Sequence, residues 1–283
     1  MKPLDINWEL NNICNLMCPQ CERNRIVDGL LVRISNLDGW DNTLDMFVKQ
    51  YENIKYDIER IRFDGEESES LSSADFLPIC KYVHSKDIVI NVSTNGSIKN
   101  PDYWYELGKE FSKNKESKIY FGLDGMGSEL SLYRIGANYD RIIENTKAFI
   151  DGGGKAYWKM IVFKHNQHQV EDAKKESQRL GFEDFIMVCN LRRNNLEPFK
   201  HSFHPKTKKR KEYQLEVQTK FAESMESHSL KENQLYINYK GQVLNSYYKP
   251  DYEFLDEEHE WYKNYHSSED TLFNKTLREI LKW

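Results

Sequence analysis

Apolar residues mark six short stretches of the chain as β-strands. In the first stretch, Leu4, Ile6, Trp8 and Leu10 alternate with polar residues, which is the period of a strand with one buried face. The other five predicted strands cover residues 58–63, 88–94, 119–123, 157–163 and 185–188.

Helical segments are predicted between these strands. They lie around residues 44–54, after Ser72-Ser73, after Asn100-Pro101-Asp102, around residues 142–150 and over residues 169–180. Gly152 and Gly181 follow the last two segments, as expected of helix ends. Strands that alternate with helices of this length pair in parallel through right-handed crossovers. The predicted fold class is therefore α/β, and six strands fit a partial (β/α)6 barrel, an incomplete TIM barrel.

The residues that could bind a ligand or take part in catalysis follow the predicted strands. Three cysteines follow the first strand, residues 64–67 the second, residues 93–96 the third, Asp124-Gly125 the fourth and residues 164–166 the fifth. Taken alone, such short polar and glycine segments are usually turns. Their shared position matters because active sites of α/β barrels gather at the carboxyl ends of the strands.

The cysteines form the most specific of these segments. Cys14, Cys18 and Cys21 place three thiols within eight residues. Thiolates are the usual ligands of iron-sulfur clusters, whereas a structural zinc site usually shows two separated Cys/His pairs. A second pair is missing from this sequence, so the spacing favours a cluster over zinc without excluding zinc. Three thiolates would leave the fourth iron of a 4Fe-4S cluster open for another ligand.

The CxxxCxxC loop after the first strand resembles the hallmark of the radical S-adenosylmethionine (radical SAM) superfamily. The residues that follow, Glu22-Arg23-Asn24, resemble those of the subgroup that carries a shortened "twitch" domain. The resemblance implies that the open iron is chelated by SAM, which one-electron reduction cleaves to methionine and a 5′-deoxyadenosyl radical. That radical takes a hydrogen atom from the substrate. An external electron donor of the flavodoxin or ferredoxin type is implied as well.

Other strand-end segments resemble the SAM-binding motifs of that superfamily. Asp64-Gly65-Glu66-Glu67 is similar to the GGE segment that holds the SAM ammonium, with Asp64 at the first glycine and either Glu66 or Glu67 as the carboxylate. The segment that contains Ser93, Thr94 and Asn95 is similar to the one near the ribose and the methionine carboxylate. Asp124 lies in a stretch similar to the "S-L-D-G" strand of that superfamily. Val162 lies in the strand that usually flanks the adenine of SAM.

The resemblance also implies a domain division into a barrel (1–190), a basic linker (191–215) and a twitch-like α+β extension (216–283). The basic run at 206–211 has two open interpretations, a solvated connector or a clamp for an anionic substrate. A hairpin is predicted at residues 234–237 and 242–244, as a structural lid on the barrel mouth. Where twitch domains carry cluster-binding cysteines, this chain has Ser227, Ser246 and Tyr247. One cluster per chain is therefore expected.

Composition narrows the functional classes. The chain has 283 residues, a net charge of −5 and 39% hydrophobic residues, so nucleic-acid binding is not expected. It has no apolar run of transmembrane length and no signal peptide at its start, which predicts a cytoplasmic protein without membrane contact. The substrate is expected to be a small molecule or a peptide. The alternative function is a non-catalytic interaction module that binds zinc or an iron-sulfur cluster.

Overall fold

Parallel strands and flanking helices form most of the computed structural model, which describes residues 3–21, 23–33, 39–54, 56–66, 68–163, 165–189, 199–201, 204–208, 234–237 and 243–244. The strands are β1 (Leu4–Trp8), β2 (Asn24–Val27), β3 (Leu30–Arg33), β4 (Ile58–Phe63), β5 (Val89–Thr94), β6 (Lys118–Gly122), β7 (Ala156–Val162), β8 (Asp184–Cys189), β9 (Phe199–His201), β10 (His204–Lys208), β11 (Gln234–Ile237) and β12 (Val243–Leu244). The α-helices are α1 (Leu44–Glu52), α2 (Phe76–His84), α3 (Pro101–Phe111), α4 (Leu130–Tyr133), α5 (Tyr139–Asp151) and α6 (Val170–Leu180).

The main sheet has the strand order β12-β11-β1-β4-β5-β6-β7-β8. Strands β1, β4, β5, β6, β7 and β8 pair in parallel with their neighbours, and they are the six strands that the sequence predicts. The predicted α/β fold class with a partial barrel is therefore confirmed. Among the described helices, none is long and apolar enough to cross a membrane.

The predicted hairpin near residue 240 is present but lies elsewhere than expected. β12 pairs antiparallel with β11, and β11 pairs in parallel with β1 over residues 5–8. The two strands thus continue the main sheet at its β1 edge. The expectation that this hairpin is a lid on the barrel mouth was wrong, because its backbone hydrogen bonds are made with the edge of the sheet.

A second, smaller sheet has the order β10-β9-β3-β2. β2 and β3 form a hairpin directly after the cysteines, with Asp28 (φ 50°) and Gly29 (φ 75°) at its turn, a sequence and conformation typical of two-residue hairpins. β3 pairs with β9, and β9 pairs with β10. Residues 191–215 are therefore not simply a linker, since β9 and β10 lie within them; the rest of that segment lies outside the described residues.

The two faces of the main sheet have opposite character. Along β7, buried residues alternate with half-buried ones; Trp158 and Met160 belong to the apolar core between the sheet and the helices. The opposite, inner face of the barrel is polar. It carries Asp5 with Arg62 on β1 and β4, and Tyr120 with Tyr157 on β6 and β7. The barrel interior is consequently a polar surface beneath the carboxyl ends of the strands.

A cluster of hydrogen-bonded polar side chains links α2, α3 and the start of β6. His84 contacts Glu110 through Nδ1 at 3.1 Å and Ser117 Oγ through Nε2 at 3.0 Å. Lys113 donates to the second Glu110 oxygen at 2.6 Å, and the backbone N–H of Ile90 donates to Ser117 Oγ at 2.8 Å. Burial lowers the pKa of His84 below its usual value, although the Glu110 carboxylate opposes that shift.

We expect this histidine to make the fold less stable in mild acid. Below about pH 6.5 the unfolded chain takes up a proton at residue 84 that the native state resists, so the free energy of unfolding falls as the pH falls, by at most about 1.4 kcal/mol per pH unit. Urea unfolding at pH 7.5 and pH 5.5 should show a smaller difference in the His84→Gln variant than in the wild type. An equal difference in both proteins would contradict the assignment.

Candidate functional site

The cysteine loop begins after β1 and is held by side chains of the smaller sheet and of the residue before it. Arg33 of β3 donates to the carbonyls of Cys14 at 2.6 Å and Leu16 at 2.7 Å. Arg23 donates to the carbonyl of Asn12 at 2.8 Å, and Asn24 donates to that of Cys18 at 2.8 Å. An irregular loop needs such partners because its carbonyls are not hydrogen-bonded within a helix or a sheet. The side chains fix a loop that has little regular structure of its own.

The three thiols are half-buried and close enough to influence one another. Burial raises the pKa of Cys14 to about 11, with an added effect of Glu69. Burial also raises the pKa of Cys18 to about 12, against the opposing effect of Arg134. In the absence of a metal centre, Cys14 and Cys18 are therefore protonated, and binding of such a centre has to release their protons.

The donor set fits an iron-sulfur cluster better than a single ion. Within the described ranges, no three Cys, His, Asp or Glu side chains are arranged to hold one metal ion. A zinc ion needs all of its thiolates at about 2.3 Å from one point. A cluster does not, because each of the three thiolates binds a different iron.

The loop after β4 makes a tight turn beside the start of the cysteine loop. Gly65 has a φ of +64°, and an added Cβ would lie 2.7 Å from the Ser68 carbonyl oxygen, so only glycine fits there. The buried Glu9, which follows β1, accepts from the backbone N–H of Glu66 and from Ser68 Oγ. The structure thus places Gly65 and Glu66 in the turn that follows β4, whereas Glu67 lies outside the described residues.

Glu69 is a buried acid that was not predicted as a site residue from the sequence. Its carboxylate accepts from Thr94 Oγ1 at 2.7 Å and from the backbone N–H of Asn95 at 2.7 Å. Its backbone N–H donates to the carbonyl of Ile13 at 2.7 Å. Burial raises its pKa, against these hydrogen bonds. Glu69 therefore connects three strand ends, and its sequence context gave no hint because it stands two positions beyond the segment that resembles the family motif.

The segment after β5 completes the connection to the cysteines. Ser93 Oγ donates to Asp64 at 2.9 Å, and Asn95 Nδ2 donates to Asn15 Oδ1 at 3.0 Å. The same amide nitrogen lies 3.9 Å from Cys14 Sγ. Of the predicted site residues, Asn95 therefore lies beside Cys14 and Thr94 is connected to it through Glu69, whereas Asp64 and Ser93 form a separate pair.

Asp124 has a different environment from the one expected of a ligand-facing acid. It is fully buried, and its carboxylate accepts from Arg134 Nε at 2.7 Å and from the backbone N–H of Ile161 at 2.6 Å. The Arg134 guanidinium lies over Gly122, where a Cβ would collide with it. Burial by itself would lower the pKa of Arg134. Asp124 and Cys18 raise it by more, so the pKa lies above its usual value. Asp124 holds Arg134, which the sequence comparison did not identify, beside the cysteine loop.

Val162 and its neighbour lie on opposite faces of β7. Val162 belongs to the core cluster beneath the helices. Ile161 is half-buried on the inner face and packs in the smaller cluster that also contacts Cys18. At this position the inner face presents Ile161 to the barrel mouth.

Solved structures share this architecture at low sequence identity. SuiB of Streptococcus suis has a TM-score of 0.64 and 14% identity, over 99% of this chain and 65% of SuiB. SuiB bound to the precursor peptide SuiA has a TM-score of 0.56 and 14% identity, over 86% of this chain and 59% of SuiB. anSMEcpe with bound AdoMet has a TM-score of 0.52 and 15% identity, over 71% of this chain and 54% of anSMEcpe.

These structures show the fold, a partial barrel of the radical SAM type. The chain spans 54% to 65% of the length of the three. No protein-family model matches the sequence, and no curated protein matches it either.

Proposed function

We propose that this chain is a radical SAM enzyme. The observation that best supports this proposal is the position of Cys14, Cys18 and Cys21 in a loop at the carboxyl end of β1. The backbone and side chains of this loop are hydrogen-bonded to the polar residues that follow β4 and β5. A 4Fe-4S cluster bound there, with SAM as its remaining ligand, would supply the electron that cleaves SAM. The fold shared with a protein that binds AdoMet supports this assignment.

The polar residues at the barrel mouth would bind and orient SAM. The turn of Gly65 and Glu66, beside the buried acids Glu9 and Glu69, offers carbonyls and carboxylates for the SAM ammonium. Arg134 uses only Nε for Asp124 within the described residues, so its two Nη groups are available for the SAM carboxylate. Ile161, in place of Val162, offers an apolar surface for adenine.

A peptide is the substrate class that the structural neighbours favour. SuiB binds the precursor peptide SuiA, and anSMEcpe binds the Cp18Cys peptide. We infer an external electron donor of the flavodoxin or ferredoxin type, because the single cysteine triplet accounts for one cluster. The twitch-like extension stays a prediction, since residues 216–283 are described only at β11 and β12.

Reconstitution tests the proposal directly. Protein treated with iron and sulfide under anaerobic conditions should turn brown, and on reduction it should release 5′-deoxyadenosine and methionine from SAM. A colourless protein with one zinc per chain would overturn the proposal. It would support the alternative, an interaction module without catalytic activity.

Two matched variants test how SAM is bound. A carboxylate beside the SAM ammonium makes a charge-assisted hydrogen bond worth about 1.5 to 3 kcal/mol, so Glu66→Gln should weaken SAM binding about tenfold or more. Glu69→Gln should weaken it too, with a loss of thermal stability, because its carboxylate also holds β5. Calorimetric SAM titration of the cluster-loaded proteins measures both affinities. Unchanged affinity in both variants would show that this loop does not bind SAM.

A further inference from the structure

The inner face of β7 carries a lysine whose charge is not matched by any described residue. Lys159 lies between Tyr157 and Ile161 in the alternating pattern of β7, so its side chain shares their face. The residue is half-buried, and its side-chain ammonium makes no hydrogen bond or ion pair within the part of the chain that the structure describes. The N–H donors of this ammonium are therefore free for a ligand, and an anionic group would make a charge-assisted hydrogen bond with them.

The position of Lys159 relates it to the cysteine loop. Two residues further along the same face, Ile161 packs in the cluster that contacts Cys18. Strand residues of one face are about 7 Å apart, so Lys159 lies one step below the loop. Across the sheet it is in register with Gly122, the residue that Arg134 covers. An anion bound by Lys159 would lie just beneath the proposed SAM site.

Aromatic side chains form the surface below Lys159. Tyr120 and Tyr157 have ring centroids 5.3 Å apart, and Lys118 Nζ lies 5.2 Å from the centre of the Tyr157 ring. Both tyrosines are half-buried on the inner face. They offer phenol groups for hydrogen bonds and ring faces for apolar parts of a ligand.

The charged side chains of the inner face on β1 and β4 pair with one another. Asp5 pairs with Arg60 at 3.2 Å and with Arg62 at 2.9 Å, and Arg62 lies 4.0 Å from Asp64. Asp184, in register with Tyr157 at the lower end of β8, makes no ion pair with either lysine. Lys118 and Lys159, on β6 and β7, are thus inner-face cations that make no ion pair within the described residues.

We propose that the peptide substrate carries a carboxylate close to the reacting residue, and that Lys159 binds this carboxylate above the Tyr120 and Tyr157 surface. The proposal rests on the proposed function, because it assigns the substrate class of the same site. The carboxylate belongs to an acidic side chain or to the carboxyl terminus of the peptide. Lys159 is accordingly a specificity-determining residue.

Competition between peptide pools tests the proposal without a known substrate sequence. Cluster-loaded protein with SAM and no reductant is mixed with three equimolar heptapeptide pools, randomised over uncharged residues. One pool has a central Glu and an amidated end, one a central Gln and an amidated end, and one a central Gln and a free carboxyl terminus. Bound peptides are recovered by gel filtration and counted by mass spectrometry.

The wild type should enrich one carboxylate-bearing pool about tenfold over the amidated Gln pool, as expected for one charge-assisted hydrogen bond. The enriched pool tells the two carboxylate sources apart. Lys159→Met should reduce the ratio to about one, whereas Lys159→Arg should keep most of it. Lys174→Met, which removes an exposed lysine of α6, is the matched control and should match the wild type.

Equal recovery of all pools by the wild type, or undiminished enrichment by Lys159→Met, would overturn the proposal. Weaker SAM binding by Lys159→Met with an unchanged peptide ratio would assign Lys159 to SAM and overturn it too. Release of 5′-deoxyadenosine by reduced wild type is measured separately. Release without peptide enrichment refutes only the carboxylate proposal, whereas absence of release refutes the proposed function.

Discussion

Replacement of Cys14, Cys18 and Cys21 together by alanine is expected to abolish the cluster and all cleavage of SAM. The wild type should contain about four irons and four sulfides per chain, held by these thiolates. The triple variant should be colourless and should release no 5′-deoxyadenosine. Iron and sulfide analysis, absorption spectra and chromatography of the products measure these effects.

Cys80→Ala is the matched control for loss of a thiol. Cys80 is fully buried in the core on α2, so its removal should affect stability and leave the iron content unchanged. About eight irons in the wild type, or cluster absorption that survives in the triple variant, would reveal a second cluster site.

Asp124→Asn is expected to destabilise the fold strongly, because it removes one partner of a buried ion pair. Asp124 is fully buried, and Arg134 is only 18% exposed. Removing one partner of a buried ion pair leaves an uncompensated charge, which typically costs 3–5 kcal/mol. Urea unfolding of the metal-free protein should show a loss of about that size. SAM binding should weaken as well, because Arg134 loses the contact that orients it.

Two further variants separate the ion pair from a general loss of charge. Glu176→Gln breaks the pair of Glu176 with the exposed Arg179 on α6, and an exposed pair contributes little to stability because water and salt screen it. Asp124→Asn combined with Arg134→Met should recover part of the stability, since no charge is left buried. A similar cost for Asp124→Asn and Glu176→Gln would show that the buried pair contributes little.

The six barrel strands could be predicted because their burial follows a short-range rule. Val89–Thr94 and Ala156–Val162 each agree with the apolar pattern to within one residue at either end. The cysteine loop could be recognised for a similar reason, since its three ligands are close in sequence.

Features that depend on distant contacts could not be predicted in the same way. Glu69 matters because Thr94 and Asn95 donate to it, and Arg134 matters because Asp124 holds it over Gly122. Neither burial nor partners can be read from neighbours in the chain. The β2–β3 hairpin is a different case, because Asp28-Gly29 between apolar residues is a strong local turn signal that was overlooked.

The pairing of β1 with β11 has a consequence for the order in which the protein is made. The first strand of the barrel, which leads into the cysteine loop, receives its outer neighbour only when residues 234–237 have left the ribosome. Until then β1 presents an unpaired edge, and such edges promote aggregation. Contacts so distant in sequence also form slowly. A chain whose synthesis stops before residue 237 would have all three cysteines but would lack the strand that closes the sheet beside them.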